Sequence, residues 1–293
     1  MIIAVASGKG GTGKTTVATS LALTLTGDSS PSRPAVRFLD CDVEEPNAAL
    51  FLHPLLEQSR AVGILVPQVD PSCCTLCGRC GQVCAYHAIV VAGKKVLVFP
   101  EMCHGCGSCT VSCEPGAIRE VLHAIGTVES GRAGSMHFAS GTLNVGEAMP
   151  VPLIRALKQD HLAGCSGTAD QVAILDAPPG TSCPVVQTML GADFVLLVTE
   201  PTPFGLHDLQ LAVDVARGEL GIPVGVVVNR DGCGDSSVDE YCAHQGIPIL
   251  MRIPLDRSIA RAIARGRTLV EAFPEYRPRF ASLYSAIQKQ VPS

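Results

Sequence analysis

The sequence predicts an α/β fold whose doubly wound, mostly parallel sheet is interrupted by a small cysteine-rich segment. Two observations support this prediction. Short apolar runs typical of buried strands alternate with helix-length segments in both the first and the last part of the chain. Between residues 71 and 120 the alternation stops, and nine of the 14 cysteines lie there. We therefore expect one discontinuous domain, residues 1–70 and 121–293, and one inserted domain, residues 71–120.

Composition limits the class of protein. The net charge is −5 with neither sign clustered, which argues against binding to nucleic acid or to an anionic membrane. No apolar run approaches the roughly 20 residues of a membrane span, and we expect no signal peptide because the apolar start lacks a basic flank. We expect a cytoplasmic protein, in which dense cysteine indicates metal binding instead of disulfides.

A glycine-rich turn follows the first apolar run, residues 1–6, and precedes a segment of helical periodicity. Backbone N–H groups of such a turn bind phosphate, assisted by the positive end of the helix. Lys14 is expected to contact the β- and γ-phosphates, and the Thr15 hydroxyl to bind Mg²⁺. A dinucleotide-binding glycine motif is the alternative, but it has no use for a Lys-Thr pair directly after its last glycine. The expected nucleotide-binding residues are Gly8, Lys9, Gly10, Gly11, Thr12, Gly13, Lys14, Thr15 and Thr16.

The order Gly-Lys-Gly-Gly-Thr-Gly-Lys-Thr, residues 8–15, resembles the deviant Walker A motif of the MinD/ParA and nitrogenase-iron-protein class of ATPases. In that class the extra lysine, here Lys9, crosses a dimer interface to the partner's nucleotide. The resemblance implies that Lys9 acts in trans as an arginine finger does, together with Lys14 in catalysis. The alternative for Lys9 is a solvated surface lysine.

Aspartates follow two apolar strands beside this turn. Asp40 and Asp42 come after residues 35–39, and Asp176 comes after residues 171–175. Carboxylates at the ends of parallel strands can hold Mg²⁺ or orient water, although aspartate is also common in turns. The stretches resemble the switch I and Walker B motifs of MinD-like ATPases, so we expect Asp40 and Asp176 to support Mg²⁺ and Asp42 to position the attacking water.

The same resemblance covers three later positions. MinD-like ATPases use the Asn of an Asn-Arg pair and the loop after the last strand on the adenine, which implies Asn229 and Pro254 here. Cys183 lies seven residues beyond Asp176. In the nitrogenase iron protein, a cysteine at the same distance from the corresponding aspartate holds a cluster that bridges the dimer. The iron protein's second ligand cysteine has no matching position here; Cys165 is the nearest candidate, at a different spacing. The alternative for Cys183 is a small buried thiol without a ligand role.

The cysteine-rich segment contains a repeat. Four cysteines in the pattern Cys-x2-Cys-x2-Cys-x3-Cys recur at an offset of 29 residues, and the Ala-Ile pair at 88–89 recurs at 117–118. The first copy is Cys74, Cys77, Cys80 and Cys84, and the second is Cys103, Cys106, Cys109 and Cys113.

This repeat resembles the α+β bacterial two-cluster ferredoxin, in which the fourth cysteine of each copy ligates the other [4Fe–4S] cluster. The resemblance implies that Cys74, Cys77, Cys80 and Cys113 hold one cluster, and that Cys103, Cys106, Cys109 and Cys84 hold the other. A pair of zinc sites is the alternative. The family's usual proline after the fourth cysteine is replaced by Ala85 in the first copy. Cys73 is expected to be a spare loop thiol.

The whole chain resembles MinD-superfamily P-loop ATPases with an inserted ferredoxin domain. This implies Mg²⁺-dependent ATP hydrolysis, two [4Fe–4S] clusters, and nucleotide-driven closure of a homodimer or of a heterodimer with a related ATPase. The leading hypothesis is ATP-dependent electron transfer to an external redox partner.

Two other functions stay open. The first is a carrier or assembly ATPase that delivers iron–sulfur clusters or a metallocofactor to an accepting protein. Carriers of the Mrp type use a C-terminal Cys-x-x-Cys, whereas the late cysteines here, Cys233 and Cys242, are nine apart. The second is a positioning ATPase of the MinD/ParA kind. It is disfavoured because the last helix, residues 279–288, has the apolar face of a core helix and few basic residues for membrane binding.

Overall fold

A nine-stranded sheet forms the centre of the computed structural model, which describes residues 1–27, 34–163 and 171–291. The strands of this sheet are β1 (Ile2–Ala6), β2 (Ala35–Asp40), β3 (Leu55–Val69), β6 (Ile118–Ala133), β7 (Met136–Leu143), β8 (Gln171–Asp176), β9 (Phe194–Thr199), β10 (Val224–Asp231) and β11 (Ile249–Pro254). The strands β4 (Ile89–Ala92) and β5 (Lys95–Val98) form a separate antiparallel hairpin.

Eleven α-helices are present in the described ranges. They are α1 (Lys14–Thr26), α2 (Ala49–Leu52), α3 (Arg79–Val83), α4 (Ser108–Val111), α5 (Pro150–His161), α6 (Cys183–Met189), α7 (Pro203–Val213), α8 (Ser237–Gln245), α9 (Arg257–Ile263), α10 (Leu269–Ala272) and α11 (Tyr276–Gln290). A 3₁₀ turn covers Pro100–Met102, and a π-helical turn, Asp214–Glu219, continues α7. No helix in the described part of the chain is long and apolar enough to cross a membrane.

The sheet order is β11-β10-β9-β1-β8-β2-β7-β6-β3. The strands from β11 to β7 are parallel, and the last two pairings, β7 with β6 and β6 with β3, are antiparallel. The mostly parallel sheet is therefore confirmed. Two successive reversals make β3 run in the same direction as the central strands. The cysteine-rich segment thus leaves the sheet at the edge where the central strands end.

Helices cover both faces of the sheet, as a doubly wound fold requires. On β1 the side chains alternate between two apolar clusters, with Ile3 and Val5 in one and Ala4 in the other. The first cluster includes apolar residues of α1, α10 and α11, and the second includes residues of α5, α6, α7 and α8. Both faces are buried, which is why the strands are continuously apolar.

The last helix packs in the core. Phe280, Leu283 and Ile287 of α11 are buried against the cluster that contains α1. This confirms the predicted core face. The helix begins at Tyr276, earlier than predicted from the spacing of its apolar residues.

Two elements begin where long-range pairing or a cap sets their ends. Strand β3 begins at Leu55, because it pairs with β6 along its full length. Helix α7 begins at Pro203, where the Thr202 side chain accepts a hydrogen bond from the Gly205 N–H. Strand β6 already begins at Ile118, before the expected resumption of the main domain at residue 121.

The sequence repeat is also a repeat in backbone conformation. Left-handed φ angles occur at Leu76 and Gly105, at Gly78 and Gly107, and at His87 and Gly116. Each pair is separated by the offset of the cysteine repeat. Helices α3 and α4 begin directly after Gly78 and Gly107. The two copies therefore fold alike, although Leu76 and His87 adopt a conformation that favours glycine.

Candidate functional site

The glycine-rich turn lies between the end of β1 and the start of α1 at Lys14. Gly13 has φ 96°, and a Cβ atom there would lie 2.5 Å from the side-chain nitrogen of Asn229. At Gly8 a Cβ atom would lie 2.2 Å from the backbone oxygen of Asp208 in α7. Both positions therefore require glycine. The sequence predicted this strand, turn and helix, and its geometry is that of a phosphate-binding loop.

Two acidic side chains lie beside the turn at the ends of neighbouring strands. Asp40 on β2 and Asp176 on β8 are register partners, and both are buried. The Asp40 carboxylate accepts hydrogen bonds from the backbone N–H groups of Asp42, at 3.2 Å, and Ala48, at 2.9 Å. Asp40 therefore shapes the loop that carries Asp42, in addition to its predicted support of Mg²⁺.

Several buried polar atoms of this site have no hydrogen-bond partner in the described part of the chain. They are both carboxylate oxygens of Asp176 and the hydroxyl of Thr12. Buried polar groups are normally paired, since an unpaired group costs free energy of folding. The unpaired atoms therefore indicate that a ligand or ion completes this site.

The carboxyl groups are also costly to ionise in the unliganded chain. Burial raises the pKa of Asp176 to about 7, with Asp42 adding to the effect and with Thr15 and Lys14 opposing it. Burial raises the pKa of Asp42 to about 6, while the Lys14 ammonium opposes the shift. Burial and the neighbouring Asp176 raise the pKa of Asp40 well above its usual value. A divalent cation would stabilise the ionised forms, so these residues fit a Mg²⁺ site.

The ends of β9 and β10 hold the turn from the other side. The Asn229 side chain donates a 2.7 Å hydrogen bond to the backbone oxygen of Thr12, and Arg230 donates to that of Gly11 at 3.3 Å. The Glu200 carboxylate pairs with both Arg230, at 2.6 Å, and Lys9, at 3.5 Å. Glu200 and Arg230 were not identified from the sequence. Two sequence features could have indicated them: Glu200 directly follows an apolar strand, and Arg230 is the arginine of the Asn-Arg pair.

A cavity adjoins the turn where the adenine was expected. It is lined by Gly13, Thr16, Asn229 and Pro254, and its empty space is about 830 Å³, partly open to solvent. The predicted adenine-contacting residues thus lie together at one cavity. Its apolar wall was not predicted and is formed by Ile253, Ile259 and Ile263.

The segment after β8 also contacts the turn. The Gly180 N–H donates a 3.0 Å hydrogen bond to the backbone oxygen of Ser7. A Cβ atom placed on Gly10 would lie 3.9 Å from the Pro179 side chain. Cys183 begins α6 and is exposed. Its role in a bridging cluster stays a prediction, and Cys165 lies outside the described residues.

The eight cysteines of the repeat line two separate cavities. Four of them, Cys74, Cys77, Cys80 and Cys113, line the first; the other four, Cys84, Cys103, Cys106 and Cys109, line the second. The empty spaces are similar, about 370 and 380 Å³ with the open part included. The fourth cysteine of each copy thus lies with the other copy, as in the predicted ligand sets.

Thiol environments repeat as well. The pKa of Cys77 is lowered by the Arg79 N–H, and the pKa of Cys106 is lowered by the Ser108 hydroxyl at the equivalent position. Burial raises the pKa of Cys80 and of its counterpart Cys109. Throughout the described ranges no three His, Cys, Asp or Glu side chains are grouped so that they could hold a metal ion. The thiols line the two cavities.

Two backbone N–H groups donate to cysteine sulfurs of the second cavity. The Ala88 N–H donates to the Cys84 sulfur at 3.3 Å, and the Gly105 N–H donates to the Cys103 sulfur at 3.4 Å. Cys73, in contrast, is exposed beside Ser72 and Asp70 and lines neither cavity. This position agrees with the prediction that Cys73 is a loop thiol without a ligand role.

Comparison with known proteins assigns the nucleotide-binding part. The model of the CbiA family, the CobQ/CobB/MinD/ParA nucleotide binding domain, matches residues 3–270. The chain belongs to this family. The CbiA match spans the glycine-rich turn, both acidic strand ends and the cysteine-rich segment.

Two relatives and one solved structure illustrate the range of similarity within and around the CbiA family. The uncharacterized protein MJ0579 of Methanocaldococcus jannaschii is 29% identical over 279 residues, which is 92% of each chain. The cytosolic Fe-S cluster assembly factor NUBP2 of Bos taurus is 31% identical over 137 residues, 40% of this chain and 49% of that protein. The cell division ATPase MinD of Pyrococcus furiosus is 21% identical with a TM-score of 0.58, and the match covers 98% of both chains. This last comparison confirms the α/β P-loop fold.

Proposed function

We propose that this chain is an ATP-hydrolysing iron–sulfur protein in which nucleotide-driven closure of a dimer controls electron transfer through two [4Fe–4S] clusters. One observation carries the proposal. The two groups of four cysteines lie in a segment that β3 and β6 carry away from the sheet on the side of the phosphate-binding turn. Ser59 of β3 is level with Asp40 through β6 and β7, and β3 continues from there to Val69. In the proposal, a change at the nucleotide site is transmitted to the cysteine-rich segment along these strands.

The nucleotide half of the proposal rests on the turn between β1 and α1. Its backbone N–H groups and Lys14 would bind the phosphates, with the adenine in the cavity beside Asn229 and Pro254. Thr15, Asp40 and Asp176 would hold Mg²⁺, and the unpaired Asp176 oxygens support this assignment. When bound, Mg²⁺ neutralises charge on the transferred phosphate.

Hydrolysis needs a positioned water and a stabilised phosphate. Asp42 lies near Lys14, and at its raised pKa its carboxylate can accept a hydrogen bond from water near neutral pH. Lys9 would supply positive charge to the partner's phosphate across the dimer interface. Both roles stay proposals drawn from the motif and its position.

The redox half rests on the cysteine groups. Each cavity is lined by four cysteines, and the spacing Cys-x2-Cys-x2-Cys-x3-Cys is that of iron–sulfur ligands, whereas zinc ribbons separate two Cys-x2-Cys pairs. When bound, each [4Fe–4S] cluster carries one electron at a time. The chain supplies the thiolates and the N–H donors of Ala88 and Gly105, which stabilise negative charge on sulfur.

A cluster-assembly role is the second candidate function. It is favoured by the similarity to NUBP2, which is named as a cytosolic Fe-S cluster assembly factor. The late cysteines give it less support, because Cys233 is exposed whereas Cys242 is buried in α8. They do not present two accessible thiols for a transferred cluster.

One experiment separates these functions. The anaerobically purified protein is analysed for iron and sulfide, reduced with dithionite and freed of excess reductant, and then mixed with oxidised cytochrome c. Electron gating predicts about eight irons per chain and oxidation of the clusters that is accelerated by MgATP. A rate independent of MgATP, or zinc in place of iron, would contradict electron gating. Transfer of intact clusters to an apo-ferredoxin would support assembly instead.

A further inference from the structure

We infer that Glu200 is a positioning residue for Lys9: it holds the lysine within its own chain until a nucleotide-loaded partner arrives. The inference deepens the proposed function, since it rests on the role of Lys9 across a dimer interface. The Lys9 ammonium lies 3.5 Å from one oxygen of the Glu200 carboxylate. Lys9 therefore points back toward β9 in the single chain.

The position of Glu200 is fixed by its strand. It follows the last residue of β9, and β9 pairs with β1, the strand that leads into the glycine-rich turn. The side chain is buried, with 10% of its surface exposed, whereas a third of the Lys9 side chain is exposed. The carboxylate is consequently the fixed member of the pair, and the lysine is the member that can move.

A second cation makes release of Lys9 feasible. The other oxygen of Glu200 accepts a 2.6 Å hydrogen bond from Arg230, and a buried carboxylate that lost its only cation would be costly. Because Arg230 stays in place, Lys9 can leave without stranding the negative charge. Arg230 also donates to the backbone oxygen of Gly11, so Glu200 remains tied to the nucleotide-binding turn.

Lys9 can reach a partner's nucleotide only after its ion pair with Glu200 is broken, which costs free energy. The ion pair must break before Lys9 reaches a partner's phosphate, and the phosphate charge compensates for the loss. Dimer closure would then be favoured with ATP and disfavoured without it, since an empty partner site offers no anion. Glu200 would thus set the concentration at which closure begins.

The test uses the variant Glu200→Gln, which keeps the size of the side chain and an oxygen that can accept from Arg230. Asp160→Asn is the matched control, because it removes the exposed ion pair with Arg60, distant from the turn. Sedimentation is measured with Mg²⁺ and a non-hydrolysable ATP analogue. We expect Glu200→Gln to dimerise at a concentration roughly threefold to tenfold lower than the natural protein, since two weak ion pairs are removed per dimer.

A second background separates positioning from a structural role. In Lys9→Ala, the further change Glu200→Gln should have no effect on dimerisation, because the lysine it would release is absent. An effect of equal size in both backgrounds would overturn the inference. Unchanged or weaker dimerisation of Glu200→Gln would also overturn it.

A chemical measurement applies even if no dimer forms. Acetic anhydride labels free amines, and the exposed Lys94 and Lys95 of the β4–β5 hairpin serve as internal references. We expect Lys9 of the nucleotide-free protein to be labelled several-fold more slowly than in Glu200→Gln. Equal labelling would overturn the inference. A natural protein that never dimerises with MgATP would instead contradict the proposed dimer closure, while the labelling result would still decide the role of Glu200.

Discussion

Asp40 and Asp176 are register partners on the neighbouring strands β2 and β8, and both carboxyl groups are buried at the end of the sheet beside the phosphate-binding turn. They differ in their partners. Asp40 accepts two backbone N–H groups, whereas neither oxygen of Asp176 has a hydrogen-bond partner in the described ranges. The two neighbouring aspartates therefore differ in role: Asp40 orders a loop, and the Asp176 carboxylate is free to bind a ligand.

The variant Asp176→Asn should separate activity from stability. We expect the rate of MgATP hydrolysis to fall by about 100-fold or more, because a negative oxygen at the Mg²⁺ site is lost. The thermal midpoint of the nucleotide-free protein should not fall, since burial disfavours the charge of this carboxylate and the amide removes that charge. Hydrolysis is followed by phosphate release and unfolding by circular dichroism.

Asp193→Asn is the control for this variant. Its carboxylate accepts the Ile2 N–H at the opposite end of the sheet, and the amide oxygen can replace it. Hydrolysis should be unchanged. Unimpaired hydrolysis by Asp176→Asn would contradict the Mg²⁺ assignment.

Two glycines of the turn should respond differently to alanine. Both Gly11 and Gly13 have left-handed φ angles, so each substitution should cost about 1–2 kcal/mol of stability. A Cβ at Gly11 meets no atom within 4 Å, but at Gly13 it meets Asn229. Gly13→Ala should therefore weaken the binding of a fluorescent ATP analogue more than Gly11→Ala does. Equal losses of affinity would show that steric contact with Asn229 does not matter.

The grouping of the cysteines can be tested by single substitutions. If the cavities hold the clusters, Cys84→Ser should perturb the same cluster signal as Cys103→Ser. It should not perturb the signal changed by Cys80→Ser, although Cys80 is closer in sequence. Electron paramagnetic resonance of the reduced proteins distinguishes the two signals. Cys73→Ser is the control and should leave both signals and the iron content unchanged. Coincident effects of Cys84→Ser and Cys80→Ser would contradict the crossed ligand sets.

Stability should depend on pH through a pair of histidines. His137 Nε2 lies 3.1 Å from His161 Nδ1. Burial lowers the pKa of both histidines, and nearby cations that include Arg37 lower both values further. At His161 the Asp160 carboxylate opposes the shift. The unfolded chain therefore binds more protons below about pH 6.5 than the folded chain does, so stability is present above that pH and is lost as the pH falls.

Thermal unfolding between pH 5 and 8 measures this dependence. In His137→Gln the decline below pH 6.5 should be smaller than in the natural protein, because one of the two titrating groups is removed. The variant His244→Gln is the control, since His244 is exposed on α8. If the natural protein and His137→Gln lose stability in parallel, the pair is not responsible.

Much of the candidate site could be predicted because it depends on local chemistry. The glycines, Lys14 and Thr15 are contiguous in sequence, and their conformation follows from one strand-turn-helix connection. The cysteine repeat was visible for the same reason, since identical spacing gives identical turns. Glu200 and Arg230 were missed because their role depends on contacts with Lys9 and Gly11, some 190 to 220 residues earlier in the chain.

The sequence by itself determined the phosphate-binding turn, the alternation of strands and helices and the repeat of eight cysteines, because each is encoded by residue type and short spacing. Only the tertiary structure decided where these parts meet. Strand order places Asp40 beside Asp176, and the two antiparallel pairings direct β3 so that the cysteine-rich segment lies beyond the sheet on the nucleotide side. Such neighbours are set by long-range strand pairing and burial, which no local pattern of residues specifies.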